Sequence, residues 1–361
     1  MQQTRKNILN AIFLIALIGL TVWAVFRDQD LGQVIQLISR VHPAYLVMGF
    51  CLVIVYVCSE SVIIKHLLHV VKIKAPLLNC IRYSFIGFFY SCVTPFASGG
   101  QPMQIYYMRR QKIDVPSATI VLMMVTIEYK AVLIIAGVAL AIFGQGIIQG
   151  LPDDASLFLY LGIGLNLFFV FAISLLIFMP DVAKTIVLWI YSFLKKIHLM
   201  KEKNNRAQRL EESMEVYRNT SDFLKKNKMS IVLTTLITFL QRFFLFLITY
   251  VVYRSFGLRE YSMLHIVLLQ TIISISVDML PLPGGMGISE FLYMRIFVPV
   301  FKSPAAVSAS MVISRGFSYY ALVIVSGIVA FFSHIFIKDE SGKIRRAVRK
   351  KRGEKEHGAT T

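Results

Sequence analysis

Six stretches of this chain, near residues 8–26, 44–64, 117–143, 156–178, 228–256 and 304–332, are apolar for long enough to cross a lipid bilayer. Hydrocarbon offers no water to an unpaired N–H or C=O, so a spanning segment must close its hydrogen bonds on itself, as a helix of about 20 residues does. The expected fold class is an all-α polytopic membrane protein, and a hydrophobic content of 56% agrees with it. The first run, preceded by Arg5 and Lys6, has the look of a secretion signal; it is long and no small-residue cleavage site follows, so an uncleaved first helix is expected. Cys51, Cys58, Cys80 and Cys92 all lie in apolar segments without metal or redox spacing and read as small packing residues.

Between the spans lie two interrupted apolar segments, at about 77–108 and 262–300. Their centres repeat: PFASGGQPMQIYYMR (Pro95 to Arg109) returns as PLPGGMGISEFLYMR (Pro281 to Arg295), each with a proline, a Gly-Gly pair and a closing Tyr-Met-Arg at the same proline-to-arginine spacing. Irregular backbone at membrane depth survives only where it is buried in protein or lines a wet cavity. The likeness continues downstream, where the segment Glu128 to Gly137 parallels Ser318 to Gly327. One transmembrane domain, 1–361, therefore contains two copies of span, broken pair and span, at 44–143 and 228–332. A charged segment, 181–227, joins them; Leu210, Met214, Tyr217 and Leu224 share one stripe of it and predict an amphipathic helix on the cytoplasmic surface.

The net charge of +18 first suggests nucleic acid, but the placement of the 38 Lys and Arg residues argues otherwise. If each broken segment enters and leaves on one side, both termini and the large majority of these cations fall on a single face. The positive-inside rule makes that face cytoplasmic, and the two copies are then inverted. No nucleic acid partner is expected, whereas the basic tail, 338–361, suits contact with anionic membrane lipids. Inverted repeats with discontinuous helices mark a transporter architecture whose site lies near the midplane.

Ionisable residues within spans are costly and are functional candidates by default. Glu128, Lys130, Arg242 and Arg315 lie inside spans, Asp278 and Glu290 flank the second Gly-Gly, and Arg109 and Arg295 close the two copies. One use is binding: the arginines grip a phosphodiester, and Glu128 and Glu290 receive a cationic headgroup or hold an arginine when the site is empty. The other is structural, with buried ion pairs locking the halves together. Ser98, Gly99, Gly100, Gly284 and Gly285 either cradle a phosphate on free amides or serve as hinges and close-packing sites. Neither copy continues into Gly-Lys-Ser/Thr, so ATP is disfavoured. Glu60 reads as interfacial, near the end of the second span. Asp28 and Asp30 are too close to the first span for a metal-dependent loop; Asp30 instead caps a helix on which Leu31, Val34, Ile35, Ile38 and Val41 share a face. No cofactor and no metal are expected, the sequon at Asn219 should be idle, and a homodimer is left open.

The segments TPFASGGQPMQIYYMRR, TIEYK, PLPGGMGISEF and SRGFSYY, in that order, resemble the lysylphosphatidylglycerol synthase transmembrane region. This is the flippase-like half of multiple-peptide-resistance proteins and also occurs in stand-alone bacterial and archaeal relatives. The resemblance implies re-entrant helices, a bacterial cell membrane, and Glu128, the Pro283 to Glu290 loop and Arg315 as the characteristic intramembrane positions. This chain departs at Tyr129, since the family often has Glu-Arg where Glu128-Tyr129 stands. In the full-length enzyme a soluble domain transfers lysine from lysyl-tRNA to phosphatidylglycerol; this chain ends soon after its last span, so lysyl transfer by it alone is not expected. The implied function is translocation of a phospholipid or glycolipid headgroup through a midplane polar cavity. The alternatives are a membrane-embedded lipid-modifying transferase using Glu290 or Asp278 as acid and base, and a non-transporting assembly subunit.

Overall fold

The computed structural model describes residues 31–196 and 206–336, apart from residue 281. The expected first span, Asp28, Asp30, Pro281 and the basic tail lie outside the described residues. Described residues form α1 (Leu31–Ser39), α2 (Pro43–Val70), α3 (Leu77–Val93), α4 (Gly100–Arg110), α5 (Val115–Phe143), α6 (Gln145–Gln149) and α7 (Asp153–Phe178). They continue with α8 (Pro180–Lys196), α9 (Arg206–Lys226), α10 (Lys228–Ser255), α11 (Met263–Val277), α12 (Ile288–Phe301), α13 (Pro304–Arg315) and α14 (Leu322–Phe336). A π turn, Gly316–Ala321, joins α13 to α14 into one long element. Among the described residues there are five membrane-crossing candidates: α2, α5, α7, α10 and the stretch Pro304–His334. Leu157, Leu161, Phe168 and Phe171 of α7 are exposed and form apolar surface suited to lipid.

The two interrupted segments are helical hairpins. Helix α3, with 17 residues, is about 25 Å long and stops short of a bilayer's hydrocarbon thickness. After a 3-10 turn at Pro95–Ala97 the chain runs back along α3. Thr94 Oγ1 accepts from Gly99 N at 2.9 Å, Gln104 Nε2 donates to Tyr83 O at 3.2 Å, and the Tyr83 hydroxyl bonds Gln111. The second hairpin, α11 and α12, folds back over a turn at Pro283–Gly285. Its end returns to its beginning, where Lys302 Nζ pairs with Glu260 at 2.5 Å and Phe301 packs on Tyr253 and Phe256.

Tracing the crossings sets the hairpins against each other. The base of the first shares a face of the bundle with the end of α2 and the start of α5; α5 crosses, α7 returns and α10 crosses again, so the second hairpin opens from the far face. The last element crosses back, bringing His334 Nδ1 within 3.1 Å of the Tyr107 hydroxyl on the first hairpin. The tips meet inside, where the two 3-10 turns are in contact. Helices α2 and α10, the leading elements of the two copies, pack along each other, with Gln241 Nε2 donating to Tyr56 O at 3.1 Å. An inverted repeat with two re-entrant helix pairs is therefore the architecture.

Three expectations need correction. The second span does not stop near residue 64: Leu67 and Leu68 stay fully buried past Lys65, because a helical stripe outlasts the local average of hydropathy. Glu60 thereby lies well inside the helix, half-buried against Gln104, rather than near its end. The linker is two helices, not one, and α9 packs into the bundle: Ser117 and Thr220 hydroxyls lie 3.0 Å apart and Tyr217 donates to Leu176 O at 3.0 Å. The shared feature of the hairpins is a proline-led 3-10 turn starting at Pro95 and at Pro283, with left-handed φ at Ala97 (52°) and Gly285 (66°). Structurally, then, Pro95 matches Pro283, two residues from the match to Pro281 that equal spacing suggested.

Close approach of α7 to α11 depends on Gly162, where a Cβ would lie 2.2 Å from Ile275 O. Gly162→Ala should therefore cost about 1–3 kcal/mol of stability. Gly164→Ala, which meets nothing within 4 Å, should be neutral. Thermal unfolding in detergent checks both, and equal midpoints would refute the packing argument.

Candidate functional site

The second hairpin tip is held by side chains. Arg315, in the last turn of α13, donates through Nε to Glu290 Oε1 at 2.6 Å and through an NH2 hydrogen to Gly284 O at 3.0 Å. The other carboxylate oxygen of Glu290 accepts from Gly287 N at 2.7 Å and Ser289 Oγ at 2.8 Å. At Gly284 (φ 59°) a side chain would also strike the Tyr319 ring, its Cβ falling 2.1 Å from a ring carbon. The π turn after Arg315 carries Tyr319 to the first hairpin, where its hydroxyl donates to Cys92 O at 3.0 Å. Arg315 and Glu290 are thus both occupied in closing the tip.

At the first tip Ser98 Oγ donates to Pro95 O at 2.9 Å and Gly99 N is taken by Thr94. A Cβ at Gly100 would lie 2.1 Å from Ser91 Oγ and 2.7 Å from Gly87 O. In the second turn the amides of Gly285, Met286 and Gly287 bond Leu282 O, Pro283 O and Glu290 respectively. The amides of Gly99, Gly285, Met286 and Gly287 already have partners, and Gly100 and Gly284 sit where a side chain would clash, which favours the hinge and close-packing reading of these positions over the phosphate cradle.

Between the hairpins, α5 of the first copy meets elements of the second. Lys130 Nζ pairs with Asp278 Oδ2 at 2.7 Å, both side chains being 7% exposed. The same ammonium lies 3.5 Å from Asn166 Oδ1, and the Tyr129 hydroxyl donates to Asp278. Arg242 of α10 lies face-on to Tyr129, its guanidinium carbon 3.3 Å from the ring centre, with the Tyr56 ring on it at 5.6 Å. Arg242 is only 7% exposed; its Nε has no hydrogen-bond partner, and among the described residues no carboxylate pairs with it. Glu60, nearby on α2, accepts from Gln104 Nε2 at 3.1 Å. Glu128 is 1% exposed and turns the other way, towards Thr234 of α10.

Of the expected site residues, the structure joins Lys130, Asp278 and Arg242 through Tyr129, and separately joins Glu290, Arg315 and Gly284. Glu128 holds no arginine among the described residues, contrary to one expectation. Arg109 and Arg295 are not brought to this centre: Arg109 is exposed at the end of α4, and Arg295 pairs at 3.1 Å with Asp154 on the surface. Sequence reasoning missed Tyr56, Gln104 and Thr234 and misplaced Glu60. A signal was present in the spacing, since Thr234, Thr238 and Arg242, like Tyr56 and Glu60, recur every four residues on otherwise apolar helices and so share a face.

Long apolar helices and two helical hairpins around a buried polar seam define a multi-pass membrane protein. The description "Lysylphosphatidylglycerol synthase TM region" matches residues 9–326, and the chain belongs to that family. No curated protein and no solved structure matches it.

The Lys130–Asp278 pair links the copies, and removing one partner strands the other charge. Lys130→Met should lose about 3–5 kcal/mol, and adding Asp278→Asn, which keeps an acceptor for Tyr129, should restore most of it. Unfolding midpoints of the two variants test this; equal losses would mean that the pair is not what matters there.

Proposed function

We propose that this protein is a lipid translocase of the bacterial cell membrane, moving a phospholipid or glycolipid headgroup through the seam between its two copies while the acyl chains stay in the bilayer. The carrying observation is Arg242, a guanidinium buried beside two tyrosine rings at the meeting of α2, α5 and α10, with no carboxylate paired to it among the described residues. Burying a charge unpaired is costly, which argues for a counter-charge that arrives with the substrate. A phosphodiester suits a planar guanidinium fork. Arg315 already has Glu290, so the arginines divide the work: Arg242 binds and Arg315 shapes the hairpin. Lys130–Asp278 and Tyr319–Cys92 cross between the copies and are the contacts that alternate exposure must break.

The bundle face with Lys72, Lys74, Arg109, Arg110 and Lys112 is the cytoplasmic one by the positive-inside rule. With the first span expected from the sequence, this reading assigns both termini to that face and the basic tail to contact with anionic lipid. The transferase alternative loses support because Glu290 and Asp278, its acid and base, are held in ion pairs.

The test uses vesicles of phosphatidylcholine and phosphatidylglycerol with a trace of headgroup-labelled phosphatidylglycerol and an impermeant quencher. Wild-type protein should expose inner-leaflet label, and Arg242→Ala should slow this by about tenfold or more, the worth of a charged hydrogen bond. Arg242→Lys should recover only part of the rate. Folded Arg242→Ala that moves lipid at the wild-type rate refutes the assignment.

A further inference from the structure

One buried acid has neither a cation nor a second hydrogen bond among the described residues. Glu128 is 1% exposed, its Oε2 is buried without a partner, and its Oε1 meets only the hydroxyl of Thr234. Glu60, a half-buried carboxyl near the seam, differs: it accepts an N–H from Gln104.

The hydrogen count at Thr234 shows how the site can hold a proton or release it. A hydroxyl carries one hydrogen, yet Thr234 Oγ1 lies 2.9 Å from Ser230 O, 3.1 Å from Ile231 O, and in bonding contact with Glu128. Threonines within helices commonly give that hydrogen to the carbonyl four residues back. With it on Ser230 O, the threonine oxygen can only accept from Glu128, and the carboxyl must supply a proton. Rotating the hydroxyl towards Glu128 suits the carboxylate instead. One rotor therefore accommodates both protonation states without moving the backbone.

Among the described residues, the polar and charged groups of the neighbouring elements are engaged elsewhere. From α10, Thr238 bonds its own backbone and Arg242 lies on Tyr129. From α2 comes Glu60, held by Gln104; from α4, Gln101, which bonds Thr126. Asp278 and Asn166, from the end of α11 and from α7, face Lys130. Helix α9 meets α5 at Ser117, about three turns away.

We propose that Glu128 is a proton-binding site and that its loading is coupled to the movement of α10 against α5. Those helices belong to opposite copies, and the same seam carries Arg242 on Tyr129 two turns along. An anion arriving at Arg242 and a proton arriving at Glu128 bias one sliding contact. The coupling step rests on the translocase reading; the proton site does not.

The experiment has two arms. In the vesicles above, a gradient of about one pH unit coupled one proton to one lipid should skew labelled lipid between leaflets by up to about tenfold. The skew should reverse with the gradient, vanish with a protonophore, and be absent in Glu128→Gln. In the second arm, infrared spectra of purified protein at neutral pH should show a protonated-carboxyl stretch that is lost in Glu128→Gln and displaced in Thr234→Val, which keeps the acid. Lipid that moves but ignores the gradient overturns the coupling and leaves translocation standing. If no lipid moves at all, the translocase reading fails and the infrared arm decides the proton site. A carboxyl at Glu128 found ionised at neutral pH overturns the site itself.

Discussion

A helix that stops halfway through a membrane leaves its end groups without water, and satisfying them governs this structure. Each hairpin tip must find partners for carbonyls and amides that a continuous helix would have paired internally. Thr94 takes Gly99 N, Glu290 takes Gly287 N, Arg315 reaches Gly284 O, and Tyr319 reaches Cys92 O. The last contact crosses from one copy to the other, so neither tip is complete by itself. The meeting of two inverted hairpins inside the bundle follows from that shared need.

With lipid tails as apolar as leucine, helix association relies on close contact and on polar groups, and both are used here. Gly162 lets α7 lie against the backbone of α11, Gly100 lets α4 lie against α3, and Gly49 accommodates the Phe317 ring. Close backbones exclude lipid from the seams, which is what allows charges to remain there. The ion pair Lys130–Asp278 and the arginine stacked on Tyr129 lie in seams of this kind.

Much of the fold was legible because hydropathy and chain breaks are local properties. Apolar runs predicted α2, α5, α7, α10 and the Pro304–His334 element, and the proline and glycine breaks predicted both hairpins. The burial of Glu128, Lys130 and Arg242 was legible for the same reason. Their partners were not, since pairing depends on how helices are rotated about their axes. Glu128 and Tyr129 are adjacent in sequence yet face Thr234 and Arg242 respectively, and hydropathy carries no information about that divergence. The repeat register misled because equal spacing to a terminal arginine was weighed above the turn, and the turn is what the structure repeats.

The four intramembrane charges named from sequence thus separate into three physical situations. Arg315 is matched to a carboxylate and a carbonyl within its own copy, so its charge is spent on shape. Lys130 is matched across the copies, so its charge holds them together. Arg242 and Glu128 are matched to neither: one lies on an aromatic face, the other on a hydroxyl. A polarizable ring and a rotatable hydroxyl both tolerate a change of charge beside them better than a fixed counter-ion does. These two accommodating partners lie along one seam between the copies, and that seam is where a change of charge meets the least fixed opposition.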